Sequence, residues 1–220
     1  MLDYRTRSGG AETVVILHGF GADSSDLYPL GAEMDAAGRY TWHFPQAPYR
    51  IRYGGTAFGS AWFPRNDTEI AGALEGSYFN RLESMDPEGL RQAGAEVLEL
   101  VDSLGVAFES VVLGGFSQGA MVAVEASVQA GRRPADLLLF SGAVIASERW
   151  RAELSGSPQF EFFQSHGTAD PILPFEGARR LLAILEDAGG QGEFMQFDGG
   201  HGIPPEIMDR VGARLQKRPQ

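Results

Sequence analysis

The sequence predicts an α/β fold, with a mainly parallel central sheet and helices on both of its faces. Two observations support this class. Short apolar runs alternate along the chain with longer segments of helical periodicity, and the β-branched and apolar run at residues 13–17 suits a strand buried on both faces. The 220 residues contain no internal repeat and no linker rich in proline or serine. We therefore expect one domain spanning residues 1–220, without a large cap domain.

The predicted elements follow one another as strand and helix, and capping residues or glycines bound the helices. The strands are predicted at Thr13–Leu17, Tyr40–Phe44, Ser110–Leu113, Leu137–Phe140, Phe160–Gln164 and Glu193–Phe197. The helices are predicted at about 26–37, 86–104, 118–130, 175–188 and 204–215, the first capped by Asp23, Ser24 and Ser25, the second and last opened by prolines. Repetition of strand and helix in this order builds a parallel sheet.

Residues 45–85 break this rhythm, because they show weak periodicity and are rich in glycine and aromatic residues. A stretch of about forty residues without regular elements inside a compact domain is usually either functional or a misread element. We expect an irregular lid-like or substrate-facing excursion, which could contain a short antiparallel hairpin; structural decoration is the alternative. Phe58, Trp62 and Phe63 are candidates for an apolar substrate-binding wall, with ordinary core packing as the alternative.

The composition excludes several classes of partner and site. The chain has 18 basic and 29 acidic residues, a formal net charge of −11, so its surface repels phosphate backbones and anionic lipid. No run approaches the ~18 apolar residues of a membrane span. Cysteine is absent, which excludes a disulfide framework, a thiolate metal site and a cysteine nucleophile. We expect a cytoplasmic protein with no nucleic-acid partner and no integral membrane association.

The sharpest chemical signal is Gly115-Phe116-Ser117-Gln118-Gly119, which lies between a predicted strand and a predicted helix. Gly-x-Ser-x-Gly in this context is the nucleophile elbow, a sharp turn that lifts the serine hydroxyl clear of the sheet. Glycine on either side avoids collisions with neighbouring backbone. The N–H of Gln118 and the positive end of the helix then favour a developing oxyanion. We predict Ser117 as a nucleophile; an ordinary serine in a glycine-rich turn is the alternative.

A serine nucleophile needs a base, and the chain has four histidines. In α/β-hydrolases the triad order is serine, acid, histidine, so only His166 and His201 qualify. His201 follows the last predicted strand, at the edge where open parallel sheets place ligands. We predict His201 as the base and Asp170, which lies just past a strand end, as the acid that orients it. Asp198 is the rival acid.

The loop after the first strand offers a second oxyanion donor. Its glycines let the backbone approach a reacting carbonyl closely, so the N–H groups of Phe20 and Gln118 are the predicted oxyanion hole. The imidazoles of His18, His43 and His166 are predicted to be structural.

No cofactor or metal is expected. Gly19-x-Gly21-x-x-Ser24 nearly matches the dinucleotide fingerprint, but its third position is serine and the second predicted strand ends without an acid for a ribose hydroxyl. No phosphate-binding loop motif is present, and no pair of histidines has the helical spacing of a zinc site.

With these motifs placed, the chain resembles the carboxylesterase/phospholipase family of small α/β-hydrolases, which includes bacterial carboxylesterases and acyl-protein thioesterases. The resemblance covers nearly the whole length. Its segments are Leu17-His18-Gly19-Phe20-Gly21-Ala22-Asp23, Gly114-Gly115-Phe116-Ser117-Gln118-Gly119-Ala120, Ser141-Gly142, His166-Gly167-Thr168-Ala169-Asp170-Pro171 and the His201 loop. It implies the α/β-hydrolase fold, the same triad and the same two oxyanion donors, and it makes a homodimer plausible.

The predicted function is hydrolysis of small carboxylic esters through an acyl-enzyme. Because a chain of this length leaves no room for a large cap, we expect a shallow pocket and small or short-chain acyl substrates. An acyl thioesterase or lysophospholipase that uses the same triad is one alternative. A non-catalytic, ligand-binding relative on the same scaffold is the other.

Overall fold

The central element of the structure, a computed structural model, is a seven-stranded sheet. The structure describes residues 1–53, 56–64, 79–156 and 158–218, together with the single positions 68, 71, 72 and 75. The strands are β1 (Tyr4–Arg7), β2 (Glu12–Leu17), β3 (Tyr40–Pro45), β4 (Tyr49–Tyr53), β5 (Thr56–Ala61), β6 (Val111–Phe116), β7 (Asp136–Phe140), β8 (Phe160–Gly167) and β9 (Gly190–Phe197).

The sheet order is β1-β3-β2-β6-β7-β8-β9, and β4 and β5 form a separate antiparallel pair. Only the edge pair of β1 with β3 is antiparallel within the large sheet; its other neighbours run parallel. The mainly parallel sheet of the prediction is therefore confirmed. Because the parallel strands share one direction, the loops after β2, β6, β7, β8 and β9 all leave from the same carboxyl edge.

The described helices are α1 (Leu30–Met34), α2 (Glu88–Ser103), α3 (Gln118–Ala130), α4 (Ser147–Leu154), α5 (Phe175–Asp187) and α6 (Pro205–Lys217), with 3₁₀ turns at Phe79–Ser84 and Phe108–Ser110. None of these helices combines the length and apolar character that crossing a membrane requires.

Helices cover both faces of the sheet, as predicted. Alternate residues of β2 show the two faces: Val15 and Leu17 belong to the cluster with helices α2 to α5, whereas Val14 and Ile16 pack with α1 and α6. All four side chains are at most 2% exposed. Burial of both faces explains why this strand is a continuous apolar run and not an alternating one.

The first predicted helix is wrong in extent, since only Leu30–Met34 is helical where residues 26–37 were expected. Pro29 explains the late start, because a proline inside a helix removes a hydrogen bond and clashes with the preceding turn. Asp23 does not cap a helix; its carboxylate accepts the N–H of Ser25 at 2.8 Å and closes a local turn.

Within residues 45–85, the structure confirms a short antiparallel hairpin, β4–β5. The hairpin is tied to the loop after β2, because Gly21 N–H donates to the Ser60 carbonyl and Ser60 N–H donates to the Ala22 carbonyl, both at 2.9 Å. Most of the stretch 65–78 lies outside the described residues. The excursion therefore begins against the carboxyl edge of the sheet.

Candidate active site

Ser117 stands at a sharp turn between β6 and α3. Its backbone has φ 56° and ψ −117°, a region that residues with a side chain rarely occupy. The turn is held from the next strand, because the Ser117 N–H donates to the carbonyl of Phe140 at 2.8 Å. The side chain of Ser117 therefore projects at the carboxyl edge, at the start of a 13-residue helix. This is the strand–turn–helix context that the motif predicted.

The backbone around the elbow leaves no room for a side chain at Gly115 or Gly119. A Cβ on Gly115 would lie 2.7 Å from the backbone nitrogen of Ala120, inside the first turn of α3. A Cβ on Gly119 would overlap the carbonyl oxygen of Leu17, at the end of β2. The two glycines thus let the elbow fold back on itself and pack directly against the loop that follows β2.

His201 and Asp170 are joined by a short hydrogen bond. His201 Nδ1 lies 2.6 Å from Asp170 Oδ2, across loops that follow β9 and β8. An ionised carboxylate only accepts hydrogen bonds, so the proton of this bond is on Nδ1 and Nε2 is left as the basic nitrogen. The Asp170 side chain is fully buried, whereas that of His201 is 15% exposed. The pair therefore presents one imidazole nitrogen from a fixed ring.

Asp170 is held as a carboxylate by its surroundings. Burial alone would raise its pKa, but hydrogen bonds from His201 and from the N–H groups of Leu173 and Ile172 outweigh burial and hold the pKa below its ordinary value. The two backbone donors reach Oδ1 at 2.9 and 2.8 Å. Asp170 consequently stays charged at neutral pH and can stabilise a protonated His201.

His166 supports the loop that carries Asp170. Its Nε2 lies 2.8 Å from the carbonyl of Leu173 and 3.2 Å from Asp170 Oδ2. The side chain is fully buried, and burial lowers the pKa of His166, so the ring is neutral and donates from Nε2. This arrangement is consistent with the predicted structural role.

Ser117 and His201 are linked through Phe116. The ring of Phe116, which precedes the serine, contacts the His201 ring at a centroid distance of 4.8 Å. The next residue of the histidine loop is also anchored, because the Ser141 hydroxyl donates to the Gly202 carbonyl at 2.9 Å. Ser117 and His201 are both described, and no hydrogen bond joins the serine hydroxyl to the imidazole. Sequence analysis placed Ser141-Gly142 among the segments of the resemblance but assigned no role to Ser141.

The loop after β2 also lies beside the serine. A Cβ on Gly19 would lie 3.4 Å from the Cβ of Ser117, so the Gly19–Phe20 backbone passes beside the nucleophile. His18 is 2% exposed and braces this loop: its Nδ1 lies 2.8 Å from the Gly19 carbonyl, and its Nε2 accepts the N–H of Ala47 at 3.1 Å. Burial lowers the pKa of His18, in keeping with a neutral ring.

The three aromatic candidates for a substrate wall lie in different environments. Trp62 and Phe63 are fully buried and belong to the main core cluster, so neither presents surface to a substrate in this structure. Phe58 is 54% exposed and lies against Gly21 of the loop after β2. Ile172, on the Asp170 loop, is 49% exposed. Sequence analysis did not identify Ile172, whose only signal is its position two residues after the acid.

Two further candidates from the sequence are His43 and Asp198. His43 is on β3, where its Nδ1 lies 3.2 Å from the hydroxyl of Thr6 on β1. Asp198, the rival acid, is exposed, and the His201 bond goes to Asp170 instead. In the part of the chain that the structure describes, no three histidine or acidic side chains converge in the manner of a metal site.

Comparison with known proteins identifies the same fold and a common family. The profile of the phospholipase/carboxylesterase family matches residues 5–218. An acyl-protein thioesterase 1 from Eremothecium gossypii is 30% identical over 211 residues, covering 89% of this chain and 83% of the relative. One from Gibberella zeae is 26% identical, covering 94% and 90%. The crystal structure of esterase PE8 superposes with a TM-score of 0.76 at 27% identity and covers 98% of both chains.

Proposed function

Because the chain belongs to the phospholipase/carboxylesterase family, we propose that it is a serine hydrolase that cleaves carboxylic esters of small or short-chain acyl groups through an acyl-enzyme. In this proposal Ser117 is the nucleophile, His201 the general base and acid, and Asp170 the carboxylate that orients the imidazole. The observation that supports it best is the His201–Asp170 hydrogen bond of 2.6 Å. The His201 ring also packs against Phe116, the residue that precedes Ser117.

In the first half of the reaction, the Ser117 oxygen bonds to the carbonyl carbon of the ester. His201 Nε2 takes the hydroxyl proton, and Asp170 stabilises the resulting imidazolium. The tetrahedral intermediate then collapses, the bond to the leaving oxygen breaks, and His201 returns the proton to the departing alcohol. Catalytic hydrogen bonds are often long in the free protein and shorten only when substrate binds, so this transfer does not require a Ser117–His201 hydrogen bond before binding.

The negative charge of the intermediate needs donors, and the backbone of two elements supplies them. The N–H of Gln118 is the first of α3, where the N–H groups have no partner within the helix and the dipole favours an anion. The N–H of Phe20 comes from the loop beside the serine. Two such donors would together stabilise the oxyanion, since one alone typically accounts for about a hundredfold or more in rate.

In the second half, water attacks the acyl-enzyme. His201 removes a proton from the water, the tetrahedral intermediate forms on the same donors, and Ser117 leaves with the proton that the imidazole returns. The products are a carboxylic acid and the regenerated serine hydroxyl. No redox step and no second substrate besides water is needed.

A thioesterase is the second candidate, and the comparisons favour it specifically. Both fungal relatives are named acyl-protein thioesterases, one of them at 30% identity over most of the chain. The triad chemistry is unchanged when sulfur replaces the leaving oxygen. The exposed side chains of Phe58 and Ile172 offer apolar surface to the acyl group of either substrate.

Kinetics on two matched series of substrates test the proposal. Wild type and Ser117→Ala are assayed on p-nitrophenyl esters and on acyl-CoA thioesters of two to sixteen carbons, and both are treated with a fluorophosphonate. We expect covalent labelling and turnover in wild type and loss of both in Ser117→Ala. Equal rates for the two proteins would overturn the serine-hydrolase proposal, and the ratio of kcat/KM between the series decides ester against thioester. Binding of the substrates without turnover by wild type would identify a non-catalytic relative.

A further inference from the structure

Behind the loop that follows β2, a chain of buried polar contacts begins at the side chain of Gln118. This residue is 1% exposed, although it is the first residue of α3. Its Oε1 accepts the N–H of Trp62 at 2.9 Å, and its Nε2 donates to the carbonyl of Phe63. The carboxamide therefore binds a short stretch of backbone on both sides, as a neighbouring strand would.

Trp62 connects Gln118 to His18, the residue that precedes Gly19 in the loop after β2. Its indole N–H donates to the carbonyl of His18 at 2.9 Å, and the Trp62 and His18 rings lie 5.4 Å apart. His18 in turn binds the Gly19 carbonyl and the N–H of Ala47 through its two ring nitrogens. All of these groups are buried, so a hydrogen bond that is lost here is not replaced by one to bulk water.

We propose that Gln118, Trp62 and His18 are positioning residues that set the separation of the two oxyanion donors, the N–H groups of Gln118 and Phe20. The inference rests on the proposed function, because it assigns a role within that oxyanion site. Gln118 then contributes to the oxyanion site in two ways. The backbone of Gln118 provides one donor, and its side chain, acting through Trp62 and His18, fixes the loop that provides the other.

The physical reason for such a brace is the steep dependence of catalysis on geometry. A displacement of about 1 Å in a catalytic group can cost on the order of a hundredfold in rate. The donors lie on separate elements, at the first residue of α3 and in the loop after β2, and that loop is glycine-rich. A direct link between the two elements through buried hydrogen bonds keeps their separation constant while the oxyanion forms.

Two substitutions remove single links of the chain, and each has a matched control elsewhere. Gln118→Met removes the carboxamide at similar volume, and Gln164→Met removes another fully buried carboxamide, which donates to the Ala178 carbonyl at 2.8 Å. Trp62→Phe removes the indole N–H. Trp150→Phe removes that of another fully buried tryptophan, which donates to Glu125 at 2.8 Å.

We expect Gln118→Met and Trp62→Phe to lower kcat about 10- to 100-fold while KM changes less than about 3-fold, because the oxyanion is absent from the bound substrate and forms only in the transition state and the tetrahedral intermediate. A trifluoromethyl ketone that forms a tetrahedral adduct with the serine should bind more weakly by a similar factor. The two controls should change both quantities less than about 3-fold. Circular dichroism and thermal unfolding establish which variants are folded; if Gln118→Met does not fold, Trp62→Phe decides.

The outcomes separate this inference from the function on which it rests. If Ser117→Ala keeps the wild-type rate, the proposed function fails. If Ser117→Ala is inactive but Gln118→Met and Trp62→Phe behave like their controls, the positioning role alone is overturned. Loss of affinity for substrate with unchanged kcat would also overturn it, because it would indicate a role in substrate binding.

Discussion

The two edges of the sheet differ in what they contain. At the carboxyl edge lie the elbow serine, the His201–Asp170 pair and three residues with positive φ that are not glycine, namely Ser117, Ser141 and Ala146. At the amino edge, Asp136 opens β7 and is paired with Arg214 at 2.6 Å and Arg218 at 3.4 Å. In the described chain, non-glycine residues with positive φ thus gather where the chemistry is proposed, whereas at the opposite edge a buried carboxylate is paired with two arginines.

This contrast indicates that the carboxyl edge is arranged for activity and the amino edge for stability. Strained backbone costs of order 1–3 kcal/mol per residue and persists only where the surroundings hold it. The ion pairs of the amino edge connect strand starts to α6, since Arg214 and Arg218 lie at the end of that helix or just beyond it. Changes at the carboxyl edge should therefore reduce activity with little loss of stability, and changes at the amino edge should do the reverse.

The largest expected effect is on activity at the carboxyl edge. Asp170→Asn should lower kcat about 10³- to 10⁴-fold, because an amide no longer selects the imidazole tautomer with a basic Nε2. Thermal unfolding should change less than activity, because the asparagine oxygen can still accept the N–H groups of Ile172 and Leu173, although the loss of a carboxylate whose pKa the fold lowers removes some stability. Steady-state kinetics on a p-nitrophenyl ester measure the loss. Asp198→Asn is the control, and a larger loss in that variant would mean that the acid is misassigned.

The second effect is on stability at the amino edge. Asp136→Asn removes the fully buried charge that pairs Arg214 and Arg218, so the free energy of unfolding should fall by about 2–3 kcal/mol. The fall is at the low end for buried pairs because Arg214 is still 19% exposed. Urea unfolding measures it, and kcat should stay within about 2-fold of wild type.

Glu193→Gln is the matched control for the amino edge. It breaks the pair of Glu193 with Arg210, whose side chains are 35% and 50% exposed, so its effect on unfolding should stay below about 1 kcal/mol. An equal loss in the two variants would show that burial does not distinguish these ion pairs.

A smaller effect on kcat is expected at Ser141, a residue that has a positive φ and also anchors the His201 loop. Its φ is 46°, and its hydroxyl holds the Gly202 carbonyl beside the proposed base. Ser141→Ala and Ser141→Gly both remove the hydroxyl, so kcat should fall by a similar factor of about 10. Glycine tolerates positive φ, so the glycine variant should be more stable than the alanine variant by about 0.5–1 kcal/mol. Different kcat values in the two variants would show that backbone strain itself contributes to rate.

The smallest effect concerns Asp86, a carboxylate paired with arginines away from the amino edge, and how its ionisation changes stability with pH. Burial would raise the pKa of Asp86, just before α2, but hydrogen bonds from Arg149 and Arg91 hold it at about 2. The unfolded value is about 3.9, so this carboxylate stabilises the fold above about pH 4, and the stabilisation is lost as pH falls toward about 2. Urea unfolding at pH 6, 4 and 3 should show a flatter pH dependence for Asp86→Asn than for wild type, with kcat unchanged at pH 7. Identical slopes would contradict the assignment.

Sequence patterns predicted the parts of the structure that depend on local chemistry. The elbow is a local motif, and the apolar runs of β2 and β7 mark strands buried on both faces. The pairing of His201 with Asp170 was predicted from chain order, because parallel strands bring their carboxyl ends to one edge. Strand β1 was missed, since an exposed edge strand of four polar or charged residues carries no apolar alternation.

The contacts behind the loop after β2 could not be predicted from the sequence. The Trp62 N–H and the Gln118 carboxamide are separated by 56 residues, and no local pattern signals such a bond. Trp62 and Phe63 were proposed as pocket residues because aromatic residues in an irregular segment suit either a pocket or a core. Their full burial places them in the core of this structure, and the substrate-facing part of the segment remains a prediction.

The close fit between Gly119 and the Leu17 carbonyl has a practical consequence for engineering new substrate preferences. A side chain at Gly115 would collide with the first turn of α3, and one at Gly119 with the end of β2, so positions 115 and 119 tolerate no diversity in a mutant library. Phe58, on β5, and Ile172, on the Asp170 loop, carry exposed apolar side chains, and these two positions can be randomised without disturbing that packing. A library confined to these two positions would sample new specificities while most of its members still fold.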